Sequence, residues 1–177
     1  MARTTFQGPV RSLGGIYQQG PASVVAITSS TTLDPVSHGG RIISVGGTLA
    51  ANVTLTLPTI DTTANPTTSG PGQDPNTLNN VGTTYTFYVE TAATTWALKT
   101  DGTDKFVGSI LMVDTDSSGA TTGYAPGASN DVINLNGSTT GGIAGSYIDV
   151  TVIGALKYLV TGVILGSGSV ATPFADA

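Results

Sequence analysis

His38 is the residue best placed by type for acid–base chemistry, because it is the only histidine in the chain. It lies in Ser37-His38-Gly39-Gly40, a run weakly similar to the oxyanion loop of esterases. The Gly-x-Ser-x-Gly elbow that presents the nucleophilic serine of such enzymes occurs nowhere in the sequence. We therefore predict that His38 is a turn residue before a strand at Arg41–Val45, without a catalytic role.

A run of oxygen-bearing side chains, Asp114-x-Asp116-x-Ser118-Gly119, begins like a calcium-binding loop. Such loops need a bidentate glutamate at the twelfth position, and Ala125 occupies that position here. We interpret the run as a solvated turn and expect no bound metal.

The remaining chemical motifs are incomplete. Gly166-Ser-Gly168-Ser-Val-Ala171 matches a dinucleotide fingerprint after a strand, but only six residues follow, too few for the helix that holds a pyrophosphate. The sequence contains no Walker motif, no His-x-x-x-His, no second glutamate beside Glu90 and no cysteine. We expect no cofactor and no enzymatic activity.

The composition favours β-structure. Charged residues make up 10% of the chain, against roughly 25% in an average soluble domain. There are 30 threonines and 24 glycines but one glutamate and three lysines, so a helical bundle lacks its usual residues. Threonine and other β-branched residues suit a pleated surface, and glycine suits turns. The chain is predicted to be mainly β.

Short alternating runs separated by turn residues predict a single antiparallel β-sandwich or barrel over residues 23–177. Asp101-Gly102 and Gly154-Ala155 are predicted hairpin turns. Thr59–Val81 is a long loop and a candidate contact surface, and Asp114–Ser129 is a second loop. The predicted strands are Ser23–Thr28, Arg41–Val45, Val53–Leu57, Thr84–Glu90, Thr95–Lys99, Lys105–Val113, Val132–Leu135, Tyr147–Ile153 and Leu156–Ile164.

Residues 1–22 are predicted to form an extended N-terminal docking arm. The segment holds two arginines and no acid, a charge of +2, whereas residues 23–177 hold four basic and eleven acidic residues, a charge of −7. It is broken by Gly and Pro yet too apolar for a solvated tail. We expect it to dock on an acidic protein surface, and the candidate partner-binding residues are Arg3, Phe6, Val10, Arg11, Leu13, Ile16 and Tyr17.

The acidic body argues against nucleic-acid binding, which needs clustered Lys and Arg. Val150–Leu165 is apolar, but Lys157 near its centre and its β-branched residues favour a strand pair over a membrane span. The segment after Arg3 has no apolar run typical of a secretory signal. We expect no membrane partner and assembly in the cytoplasm.

Trp96 is the only tryptophan and could stack on a sugar together with tyrosines. Its place beside Leu98 in a short predicted strand favours a core position. A carbohydrate-binding module therefore stays as a less favoured alternative.

Three parts of the sequence resemble head decoration proteins of tailed bacteriophages. The opening Ala2-Arg-Thr-Thr-Phe-Gln-Gly-Pro-Val-Arg-Ser-Leu13 is similar to the start of small virion proteins of these phages. The central block contains Asn52-Val-Thr-Leu-Thr-Leu-Pro58, Gly82-Thr-Thr-Tyr-Thr-Phe-Tyr-Val89 and Asp104-Lys-Phe-Val-Gly-Ser109. The final part contains Asp131-Val-Ile-Asn-Leu-Asn-Gly-Ser-Thr-Thr-Gly-Gly142, a hydrophobic hairpin and Gly166-Ser-Gly-Ser-Val-Ala-Thr-Pro-Phe174.

The resemblance implies a cement protein on the outer surface of the phage head. Such a protein bridges neighbouring major capsid subunits and is often a homotrimer, so the implied partners are the major capsid protein and further copies of the chain. The implied location is the virion, after assembly in the host cytoplasm. A tail-fibre, tail-tube or spike accessory protein is the alternative virion component.

Overall fold

The computed structural model describes residues 23–46, 52–63, 79–92, 94–116 and 119–177. These ranges contain twelve strands and one short helix. In chain order they are β1 (Val24–Ile27), β2 (Thr31–Thr32), α1 (Pro35–His38), β3 (Ile42–Val45), β4 (Val53–Thr56), β5 (Thr84–Val89), β6 (Trp96–Lys99), β7 (Lys105–Asp114), β8 (Thr121–Tyr124), β9 (Val132–Leu135), β10 (Tyr147–Gly154), β11 (Lys157–Gly166) and β12 (Phe174–Ala175).

The strands form two sheets that share one hydrophobic core. The first has seven strands in the order β1-β3-β5-β10-β11-β7-β8, and the second has five in the order β12-β9-β6-β4-β2. Buried apolar residues from both sheets belong to a single cluster. The chain is therefore mainly β, as predicted, with an architecture compatible with a β-sandwich.

Both sheets are mixed, whereas an antiparallel sandwich or barrel was predicted. β1 and β3 pair parallel, as do β3 and β5, and in the other sheet β2, β4 and β6 are parallel neighbours. Successive strands from β1 to β6 alternate between the two sheets. Parallel neighbours need a crossover connection, and here a strand of the opposite sheet provides it. In the first half of the body, the chain therefore winds back and forth between the two sheets and adds one strand to each in turn.

The predicted hairpin at Asp101-Gly102 is wrong. β6 pairs with β4 and β9 in the five-stranded sheet, whereas β7 pairs with β11 and β8 in the seven-stranded sheet. Asp101 Oδ1 accepts hydrogen bonds from the backbone N–H groups of Thr103 at 2.9 Å and Asp104 at 3.0 Å. This compact loop therefore carries the chain from one sheet to the other.

The hairpin predicted at Gly154-Ala155 is confirmed. β10 and β11 pair antiparallel from Tyr147↔Val163 to Gly154↔Lys157, with a bulge after Val152. Leu156, in the turn, has a positive φ of 61°. The predicted loop Asp114–Ser129 contains a strand that was not predicted, β8, which pairs with the second half of β7.

Large aromatic side chains link the two sheets through the core. The rings of Phe87 in β5 and Trp96 in β6 have centroids 5.9 Å apart, and Trp96 is 1% exposed. The Tyr158 hydroxyl in β11 donates to the carbonyl of Pro58, just after β4. The predicted core position of Trp96 is confirmed. Burying one such side chain contributes about 1.5–3 kcal/mol.

A candidate contact surface on the seven-stranded sheet

The predicted docking residues Arg3, Phe6, Val10, Arg11, Leu13, Ile16 and Tyr17 lie outside the described residues. The described chain begins at Ser23, one residue before β1, which is an edge strand of the seven-stranded sheet. Residues 1–22 therefore join the body at that edge.

The loop predicted as a contact surface, Thr59–Val81, is described only at its two ends. The Asn80 side chain closes its base, because Nδ2 donates to the carbonyl of Thr59 at 2.9 Å and Oδ1 accepts from the N–H of Asp61 at 3.0 Å. Asp104 Oδ2 accepts from the N–H of Ile60 at 3.0 Å. Burial raises the pKa of Asp104. The base of the loop is thus fixed to the body by buried polar groups.

His38 has a local structural role. It ends α1, and its Nδ1 accepts a hydrogen bond from the N–H of Asp34 at 3.0 Å. Asp34 caps the helix, since its Oδ1 accepts from the N–H of Ser37 at 2.7 Å. His38 is 9% exposed. The His38 ring therefore has a structural role in this turn, as predicted. The turn is a short helix rather than a simple bend.

The two carboxylates of the calcium-like run bind backbone amides. The N–H of Asp116 donates to Asp114 Oδ1 at 3.1 Å, and the N–H of Gly168 donates to Asp116 Oδ2 at 2.8 Å. Gly168 belongs to residues 166–171, the run that matches a dinucleotide fingerprint. One backbone N–H of that run therefore already donates to a carboxylate. Within the described ranges no group of three His, Asp or Glu residues is arranged to hold a metal ion.

Trp96 does not form a sugar-stacking platform, because it is buried between the sheets. Exposed aromatic side chains lie instead on the outer face of the seven-stranded sheet. Tyr88 in β5 and Tyr147 in β10 are direct cross-strand partners, 41% and 44% exposed. A strand was predicted at Thr84–Glu90, but the exposed pairing of Tyr88 with Tyr147 was not.

The outer face continues as apolar surface to the edge of the sheet. Ile42 in β3 pairs with Thr86, and Val24 in β1 pairs with Ile42. Both apolar side chains are almost half exposed. With the tyrosines they line an open cleft of about 640 Å³, here called the sheet cleft, whose lining residues are Val24, Ala26, Ile42, Ser44, Thr86, Tyr88, Glu90 and Tyr147.

The sheet cleft carries negative charge. Glu90 lies in its lining, and Glu90 Oε2 accepts a hydrogen bond from Ser44 Oγ at 2.9 Å. Asp149, next along β10 on the same face, accepts from Thr86 Oγ1 at 2.6 Å. Neither carboxylate forms an ion pair with another described residue, and no lysine or arginine lines the cleft. The cleft therefore suits an apolar segment that also carries positive charge.

A second exposed apolar group lies at the other end of β10. It consists of Val81, Ile153 and Leu156, which are 43%, 47% and 54% exposed, and is here called the hairpin-end patch. The N–H of Gly82 donates to the carbonyl of Val152 at 2.8 Å, which holds the end of the long loop beside the hairpin. At about 3.3 Å per residue, Ile153 lies about 20 Å from Tyr147 along the strand.

Among the described residues no helix is long and apolar enough to cross a membrane. Comparison of the chain with protein-family models, with curated proteins and with solved structures finds no match.

Proposed function

We propose that this chain is a structural virion protein that binds the outer surface of a tailed-phage head and bridges neighbouring major capsid subunits. The sheet cleft and the hairpin-end patch carry this proposal. They are two exposed apolar surfaces whose β10 residues, Tyr147 and Ile153, lie about 20 Å apart along the strand. Contiguous exposed apolar surface marks sites of protein contact, and a bridging protein needs two of them.

Bridging makes weak contacts effective. Once one surface of the body is bound, the second contact is intramolecular, and overall retention can exceed that of either contact by about 10²–10⁴. The resemblance to head decoration proteins supports this role, and so does the predicted arm. In this proposal the apolar arm residues fill capsid grooves and Arg3 and Arg11 pair with capsid carboxylates.

Occupancy on undecorated, expanded heads tests the proposal. Full-length variants are mixed with heads of the phage that encodes the chain, and bound protein is measured after sedimentation. We expect Tyr88→Thr in the sheet cleft and Leu156→Asn in the hairpin-end patch each to lower occupancy, and the double variant to bind least.

Leu111→Thr is the matched control. Leu111 is 48% exposed on β7, outside both surfaces. If all three variants bind as well as the original chain, or if Leu111→Thr lowers occupancy as much as Tyr88→Thr, the two surfaces do not carry head binding.

A further inference from the structure

The sheet cleft is a wide apolar surface in the described part of the chain. It crosses β1, β3, β5 and β10, three strand spacings or about 14 Å. Tyr88 and Tyr147 line it as exposed cross-strand partners, and Glu90 contributes a carboxylate to its lining. Surface of this kind is normally covered by a partner or by another part of the chain.

We propose that residues 1–22 of the same chain cover the sheet cleft while the protein is free of any partner. The first argument is position. The segment joins the body at Ser23, and the next residue, Val24, lines the cleft. Twenty-two residues can extend about 70 Å, several times the width of the cleft. Gly20-Pro21, separated from Ser23 by one residue, is a dipeptide typical of turns and loops.

The second argument is chemical match. The segment carries Phe6, Ile16 and Tyr17 among its apolar residues, and Arg3 and Arg11 without any acid. The sheet cleft offers apolar and aromatic side chains together with the carboxylate of Glu90, which has no cationic partner among the described residues. The charges of segment and cleft are therefore opposite in sign, within a chain that has only six basic residues in all.

The tether favours this contact over a separate peptide. A segment joined by a short flexible connection has an effective concentration in the millimolar range at its site, so a weak contact is enough to keep it bound. The proposal goes beyond capsid binding, because it concerns the chain before it meets a head. On a head, the segment would leave the sheet cleft, and both the segment and the cleft would then contact the capsid.

Paramagnetic NMR on the full-length chain tests the contact. Because the chain has no cysteine, Ser12→Cys accepts a single nitroxide label, and Gln7→Cys gives a second position, farther from the join at Ser23. When the nitroxide is in its oxidised, paramagnetic form, we expect the amide signals of Ile42, Tyr88 and Tyr147 to lose most of their intensity. Signals of β8, at the opposite edge of the same sheet, should keep most of their intensity.

Two matched substitutions and one mixed sample complete the test. Ile42→Thr, in the cleft, should restore the lost intensity, whereas Ile153→Thr, at an equally exposed isoleucine outside the cleft, should not. In the mixed sample, one chain carries the nitroxide but no isotope label, and the other carries the isotope label but no nitroxide. The amide signals of the isotope-labelled chain should show no broadening.

Broadening in the mixed sample would show that another copy supplies the segment and would overturn the proposal. Full intensity at the cleft amides with both label positions would overturn it as well. Neither result depends on head binding, which is measured separately by occupancy.

Discussion

Lys105 Nζ lies 2.7 Å from Asp131 Oδ2, and this ion pair connects the start of β7 in the seven-stranded sheet with the residue before β9 in the five-stranded sheet. Asp131 Oδ1 also accepts from the N–H of Ala177 at 2.8 Å. One carboxylate therefore holds both sheets and the C-terminal residues together.

The ion pair predicts a loss of stability in acid. Burial would raise the pKa of Asp131, but hydrogen bonds from Lys105 and Ala177 and the charge of Lys105 outweigh it, and the pKa is lowered. The stabilisation is therefore complete above the ordinary aspartate pKa of about 3.9 and is lost as pH falls through the lower folded pKa. Urea unfolding from pH 6 to pH 2 should show a smaller loss of stability for Asp131→Asn than for the original chain. Equal losses would contradict this role of Asp131.

Asp104 should respond in the opposite direction. It is 1% exposed, and burial raises its pKa. An acid with a raised folded pKa costs stability as pH rises past the unfolded value, because the unfolded chain releases that proton more readily. Asp104→Asn can still accept from the N–H of Ile60. At pH 7 we expect the free energy of unfolding of this variant, measured in urea, to equal or exceed that of the original chain. At pH 3 this difference should disappear. A lower stability of the variant at pH 7 would refute the prediction.

Gly162 marks a close approach of two strands. It pairs with Ile148 of β10, and a Cβ at Gly162 would overlap the carbonyl oxygen of Tyr147 and lie 2.9 Å from Ile148 Cα. Gly162→Ala should lower the free energy of unfolding by about 1–3 kcal/mol. The control is Gly123→Ala in β8, where the nearest atom would be Leu111 Cδ2 at 3.7 Å. That variant should keep its stability or gain up to about 1 kcal/mol, and an equal loss in both would exclude the steric cause.

Trp96 contacts Phe87 of the opposite sheet and also reports on unfolding. Trp96→Ala should lower the free energy of unfolding by about 3–5 kcal/mol because it leaves a cavity beside Phe87. Trp96→Phe should cost less because part of the ring contact remains. In the original chain, the fluorescence of this single tryptophan should shift to the red as the chain unfolds in urea. Red-shifted emission before unfolding would contradict its buried position.

The mainly β class of the fold could be predicted because it follows from local features of the sequence, namely composition and short alternating runs. The Thr and Gly content and the shortage of Glu and Lys argued against a helical bundle, and short alternating runs predicted strands that include β5. The β10–β11 hairpin was also predictable, since both strands are long and the turn between them is short.

Pairing across the sheets could not be predicted, since a turn sequence does not say whether the flanking strands pair or separate. Asp101-Gly102 has hairpin residues, yet the strands on its two sides, β6 and β7, pair in different sheets. Likewise, Tyr88 and Tyr147 are far apart in sequence, and only the register between β5 and β10 brings them together. β8 was missed because Thr-Thr-Gly-Tyr has no apolar alternation.

Imaging decorated heads by cryo-electron microscopy tests the central proposal most directly. Purified full-length chain is added to undecorated, expanded heads, and the added density is fitted with the two-sheet body. We expect density at local three-fold or two-fold axes, with the sheet cleft or the hairpin-end patch against neighbouring capsid subunits and residues 1–22 traced along the capsid. Bare heads, with density found only on tails, would contradict the head-binding role and favour a tail component.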